Sequence, residues 1–194
     1  MPRPIFNKKN DFRGDLDVSI NAEGQKQAEQ LVPFFANRSF SAIYRSSRKR
    51  TKQTLEPLLK VKGMKAKVLK DIDSLDTGEL AGKPKSKKNL KLLKWYRNHP
   101  DEQIPGGEKV QDFRNRVDPK IMSIIHKGES GSKPTAACVH GSIIKEISRL
   151  LHDDMDHARV EPGGVVGIFK SPSGYEAKAL YRESKEPEEM YAGS

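Results

Sequence analysis

From Thr135 to Val139 the chain is small and apolar, and Gly131-Ser132-Lys133-Pro134 bounds it upstream; the pattern predicts a short buried strand. Past His140, Gly141 and Ser142 the period changes: Ile143, Ile144, Ile147, Leu150 and Leu151 share one face of an amphipathic helix. His140 therefore falls where a strand stops and a helix begins. A second junction of this kind lies upstream. Ser41-Ala42-Ile43-Tyr44 reads as a strand, and Ser46 and Ser47 offer caps for a helix from about Arg48 to Lys60. Ala66 to Leu69 predicts a third strand. Further helices are expected from Asn21, through Ala28, Leu31, Val32 and Phe35, with a bend or early end at Pro33; around Asn89–Asn98; and over Val110, Phe113, Val117, Ile121, Ile124 and Ile125, bent at Pro119. Val165–Phe169 and Ala177–Tyr181, separated by Ser171-Pro172-Ser173-Gly174, predict a hairpin.

Strands alternating with helices imply an α/β fold, three layers deep (α/β/α), around a mostly parallel sheet. A length of 194 residues suits one such domain, expected over residues 1–182, with a charged and disordered tail over 183–194. One cysteine excludes an internal disulfide and fits a reducing compartment. No apolar run approaches the roughly 18 residues of a membrane span, so a cytoplasmic protein without a membrane partner is expected. The formal net charge of +10 suits anionic partners, although a solvated lysine surface explains much of it. The basic runs are not interleaved with aromatics, and no zinc-finger spacing occurs, so nucleic acid is not expected as a partner.

In an open α/β sheet, ligands bind at the carboxyl ends of strands, beside helix N-termini that attract anions. His140 can move a proton there, or can be a loop histidine satisfied by backbone groups. Arg50, in the first turns of its helix, can fork onto a phosphate or point to solvent. Carboxylates come from two glycine-bearing loops, Asp71 to Gly82 and Pro100 to Glu108. Cys138 shares a strand face with His140; a Cys–His nucleophile pair is conceivable, and a packed core cysteine is the plainer reading.

Taken in order, these pieces resemble the histidine phosphatase superfamily, the phosphoglycerate-mutase-like phosphatases and mutases. Phe12-Arg13-Gly14-Asp15 through Asn21-Ala22-Glu23-Gly24 resembles the family's loop and first helix after its Arg-His-Gly motif. Tyr44-Arg45-Ser46-Ser47-Arg48-Lys49-Arg50 is similar to the segment carrying a phosphate-binding arginine, here Arg50. Leu75-Asp76-Thr77-Gly78-Glu79-Leu80-Ala81-Gly82 resembles the loop of the general acid, Pro105-Gly106-Gly107-Glu108 the Gly-Glu-Ser-type element of the phosphatase branch, and Val139-His140-Gly141 the second active-site histidine. Pro162-Gly163-Gly164 is similar to the turn before the late strands.

The resemblance implies phosphoryl transfer from a small phosphorylated substrate through a phosphohistidine, with no metal and no cofactor. Asn7, Arg50, His140 and Gly141 would hold the phosphate, and Asp76 would serve as acid, with Asp73 and Glu108 as alternatives. The chain departs from the family pattern twice. Counting back from Asn7, the nucleophile falls at about Met1, and no histidine precedes His99. The expectation is either a protein that begins upstream, its first strand included, or one that has lost its nucleophile and binds phospho-ligands without turning them over. Ser74 stands where the family's acid glutamate aligns.

Overall fold

The computed structural model describes residues 11–181. Asn7 and the tail from Glu183 lie outside the described residues. Helix α1 (Ala22–Phe34) starts where expected: Asn21 is extended and its side chain accepts from the Gly24 N–H at 2.9 Å. The helix ends one residue after Pro33, so the proline closes it.

Strand β1 (Ala42–Arg45) is the middle of a three-stranded parallel sheet. On one side Ile43 faces Ala66 of β2 (Ala66–Val68), and on the other it faces Ala136 of β3 (Thr135–Cys138). Helix α2 (Lys49–Lys62) covers one face: Leu55 and Leu58 pack with Phe40 and Ile43, and Ala66, Ala136 and Cys138 close against them. Across the sheet lies the larger core. It is built by Val110, Phe113, Val117 and Ile121 of α4 (Val110–Ser130) with Ile143 and Ile147 of α5 (Gly141–His152), and reaches Val139 at the end of β3. Burying apolar stripes from both sides gives the three layers. Helix α3 (Lys87–Asn98) begins at Ser86, whose hydroxyl accepts from the Asn89 N–H. No described helix is long and apolar enough to cross a membrane.

Two local expectations need correction. Ser46 and Ser47 do not cap α2 by their side chains; Arg48 holds the cap position, because both hydroxyls are committed elsewhere, as described below. β3 is half-buried rather than buried, with Ala137 exposed, because among the described residues it pairs on one edge only. The expected hairpin is present: β4 (Val165–Ser171) and β5 (Gly174–Tyr181) pair antiparallel as a separate two-stranded sheet, with Ala177 in the α4–α5 core.

The two glycine-bearing acidic loops are locked together at backbone distance. Gly78 has φ +48°, and a Cβ there would lie 2.1 Å from the Pro105 carbonyl oxygen and 2.3 Å from the Gly107 nitrogen. The Glu79 N–H donates to that same carbonyl at 2.9 Å, so the approach is a hydrogen-bonded contact. Gly78→Ala is expected to lower the unfolding free energy by roughly 2 kcal/mol or more. Gly63→Ala, equally left-handed at φ +61° but with nothing within 4 Å of a Cβ, should cost only about 1 kcal/mol. Urea unfolding of the two variants checks the contrast.

Candidate anion site at the strand ends

β1 and β3 end side by side, and the Ser46 N–H crosses to the Cys138 carbonyl at 3.3 Å. One residue past β1 stands Ser46; two past β3 stands His140, the residue that caps α5. Parallel pairing thus carries each chain into its helix at the same end of the sheet. Arg50, in the first turn of α2, donates through Nε to His140 Nδ1 at 3.1 Å. Its two other nitrogens reach the preceding loop, Nη1 to the Leu16 carbonyl at 2.7 Å and Nη2 to the Gly14 carbonyl at 3.2 Å. On the far side of the imidazole, Nε2 lies 2.8 Å from Ser46 Oγ. His140 and Arg50 are both buried. Gly141 opens α5, and a Cβ there would meet nothing within 4 Å, so space remains beside the helix start.

Burial decides the protonation states. It pushes the Arg50 guanidinium down to about 10, with Arg13 and Arg48 adding repulsion, which leaves it a cation at neutral pH. His140 falls from 6.5 to about 3, first through burial and then through Arg50, Arg48 and Arg116, so the ring is neutral. Cys138 rises to about 12 because its thiolate would be desolvated, and both His140 nitrogens are engaged elsewhere; the thiol is core packing.

The acidic loops come to this end of the sheet through side chains. The Ser142 hydroxyl, in the first turn of α5, lies 3.1 Å from Ser74 Oγ and accepts from the Leu75 N–H at 3.2 Å. Asp73 accepts from the Ser47 N–H at 2.7 Å and from its hydroxyl at 2.5 Å. Asp76 Oδ1 accepts from the Gly78 N–H at 2.9 Å. Glu108 is more heavily engaged: Oε1 accepts from the Asp76 N–H at 2.8 Å, and Arg116 grips both oxygens, Nη2 to Oε1 at 2.7 Å and Nε to Oε2 at 3.1 Å. Arg116 also donates to the carbonyls of Asp71, Asp73 and Ser74. Arg50 and His140 touch each other; among the described residues, no hydrogen bond joins either to Asp76 or Glu108.

Sequence reasoning missed Arg116, Ser46 and Thr51 as parts of this region. Arg116 sits on a helix more than 40 residues from the carbonyls it holds, and no local pattern marks it. Ser46 was legible only as a helix cap. Residues grouped for a metal ion are absent among the described residues. Two surface hollows, of about 770 and 370 Å³, lie along α4 and contain none of the candidate residues.

A buried arginine–imidazole pair thus stands at the carboxyl ends of adjacent parallel strands beside a helix start, a place where α/β proteins commonly take anions. The sequence description of the histidine phosphatase superfamily (branch 1) matches residues 4–166, and the chain belongs to that family. Its relatives differ in what they are named for. The chain is 24% identical over 155 residues to a 2,3-bisphosphoglycerate-dependent phosphoglycerate mutase of Rhizobium etli, covering 74% of this chain and 73% of the relative. It is 24% identical over 112 residues to the uncharacterized phosphatase PhoE of Bacillus subtilis, of which it spans about half, 54%, with 58% of this chain covered. The alpha-ribazole phosphatase of Shigella flexneri superposes with a TM-score of 0.70 at 18% identity, covering 90% of each chain, which establishes the shared phosphoglycerate-mutase-like fold.

The depressed histidine makes a pH prediction with a definite sign. Because the folded value lies below the ordinary one, the unfolded chain takes up the proton first. Stability is therefore full above pH 6.5 and is lost as pH falls toward 3. Between pH 6 and 4 the native protein should lose up to about 1.4 kcal/mol per pH unit more than His140→Gln does. Urea unfolding of both at several pH values measures the difference.

Proposed function

We propose that this chain is built for phosphomonoester chemistry of the phosphatase kind, acting on a small phosphorylated molecule, with Arg50 and His140 as the groups that hold the phosphate. The observation that carries the reading is the buried contact between Arg50 and His140 at the ends of two adjacent parallel strands. A guanidinium that stays charged and an imidazole that stays neutral suit a dianionic ligand: one supplies charge, the other a directed hydrogen bond. Gly141, with open space beside it, and Asn7 are proposed to complete the phosphate contacts. The Pro105–Glu108 element and the short middle segment favour the phosphatase over the mutase. The single cysteine fits a cytoplasmic location.

In the complete reaction, an imidazole nitrogen attacks phosphorus, the bond to the substrate alkoxide breaks, and an acid protonates the leaving oxygen. Water then attacks the phosphohistidine, gives up a proton to the same carboxylate, and releases phosphate. Asp76 is proposed as that acid. Glu108, gripped by Arg116 and by the Asp76 N–H, is better suited to holding the Asp76 backbone in place than to exchanging protons.

His140 is not suited to be the nucleophile, because its Nδ1 lone pair is taken up by Arg50. No histidine precedes His99 in these 194 residues. A second reading keeps the same Arg50–His140 pocket as a site that binds phospho-ligands without turning them over. The 194-residue polypeptide is expected to bind inorganic phosphate weakly and to hydrolyse aryl phosphates barely above background. Fusing an upstream strand that ends in Arg-His-Gly should restore turnover, with acid-labile phosphate on the added histidine. In the extended protein Arg50→Ala or His140→Ala should lower the rate by about a hundredfold or more. Failure of the extension to restore any hydrolysis, with phosphate binding intact, selects the binding protein; absence of phosphate binding by either form overturns both readings.

A further inference from the structure

Two hydroxyls stand behind His140, and neither belongs to the phosphate-holding set. Ser46 is fully buried, and its Oγ lies 2.8 Å from His140 Nε2 and 2.9 Å from Thr51 Oγ1. The Arg48 N–H donates to the same Ser46 oxygen at 3.3 Å. Thr51, also buried, has the Arg48 carbonyl 2.9 Å from its hydroxyl and the Ser46 carbonyl at 3.2 Å.

Donor and acceptor counting leaves one consistent arrangement. The Arg50 Nε–H points at His140 Nδ1, so Nδ1 holds a lone pair and the neutral ring carries its hydrogen on Nε2. Nε2–H then donates to Ser46 Oγ. With two donors already directed at it, Ser46 gives its own hydrogen to Thr51, and Thr51 passes its hydrogen to a carbonyl. Reversing the direction would set a Ser46 hydrogen against Nε2 and move the ring hydrogen to Nδ1. There it would collide head-on with the Arg50 Nε–H, in a buried place where unmatched hydrogens are costly.

We propose that Ser46, oriented by Thr51, is a positioning residue that fixes His140 as the Nε2–H tautomer, a ring that can donate to an anion and cannot act as base or nucleophile at Nε2. A phosphate oxygen entering beside Ser46 then competes for a hydrogen and finds no lone pair. The assignment deepens the phosphatase reading by stating what His140 offers the phosphate, and it rests on that reading only for the identity of the anion.

The test is nitrogen-15 NMR of the histidine rings in the 194-residue protein, with inorganic phosphate as the probe ligand. The native protein should show one His140 ring with a pyrrole-type Nε2 and a pyridine-type Nδ1, unchanged from pH 5 to 8. Thr51→Val leaves the Ser46 hydrogen without its acceptor and should give a second or exchange-broadened ring state, whereas Thr51→Ser should look native. Ser46→Ala should do the same as Thr51→Val and weaken phosphate binding about three- to tenfold, the scale of one hydrogen bond. A native ring with its hydrogen on Nδ1 overturns the proposal even if no variant folds. So does a pair of variants, Ser46→Ala and Thr51→Val, with native ring signals and native phosphate affinity. If the ring has the expected tautomer but phosphate does not bind, the relay stands and the phosphate reading falls; if phosphate binds a ring of the opposite tautomer, the relay falls alone.

Discussion

The Arg50–His140 hydrogen bond is the contact on which the rest of the site depends. It joins the first turn of α2 to the residue that caps α5, and so fixes the two helix starts relative to each other. It also couples their chemistry. Burial first, and then the Arg50 charge, hold the imidazole neutral, Nε donation engages its Nδ1 lone pair, and the fork of the same guanidinium reaches outward to the Gly14 and Leu16 carbonyls. One side chain thereby engages its neighbour's ring and ties the start of α2 to the preceding loop. Parallel pairing makes this possible, since only strands running the same way deliver both junctions to one end of the sheet.

A second set of contacts holds the acidic loops to that end. Arg116 gathers three carbonyls and the Glu108 carboxylate, and the backbone contact of Gly78 with Pro105 and Gly107 leaves no room for a side chain. The Glu108–Arg116 pair is only partly exposed and is made by two good hydrogen bonds. Such a pair contributes more through the groups that would be left unpaired without it than through attraction alone. Asp76 depends on this arrangement twice, because Glu108 accepts from its N–H and its own carboxylate accepts from the Gly78 N–H.

Much of the fold was legible from periodicity. The apolar faces of α4 and α5, the Asn21 cap and the two strand-to-helix junctions follow from residue type and spacing alone. The errors were of one kind. Ser46 and Ser47 were expected to serve their own helix, but the structure offers them stronger partners far along the chain: His140 for one, Asp73 for the other. β3 was expected to be buried because its residues are apolar, yet among the described residues it pairs on one edge only, and small apolar residues fit such a position as well as a central one. Composition cannot tell the two apart.

By itself, the sequence determined which segments are strands and helices, the α/β class, and that Arg50 and His140 stand at the starts of helices that follow strands. Those are local properties, governed by side-chain period, capping and turn residues. Only the tertiary structure decided that the two side chains touch, that burial leaves the ring neutral, that Arg116 clasps the acidic loop, and that Ser46 and Thr51 stand behind the imidazole. Each of these depends on contacts between residues tens of positions apart, and on a desolvation that exists only once the chain has closed around them.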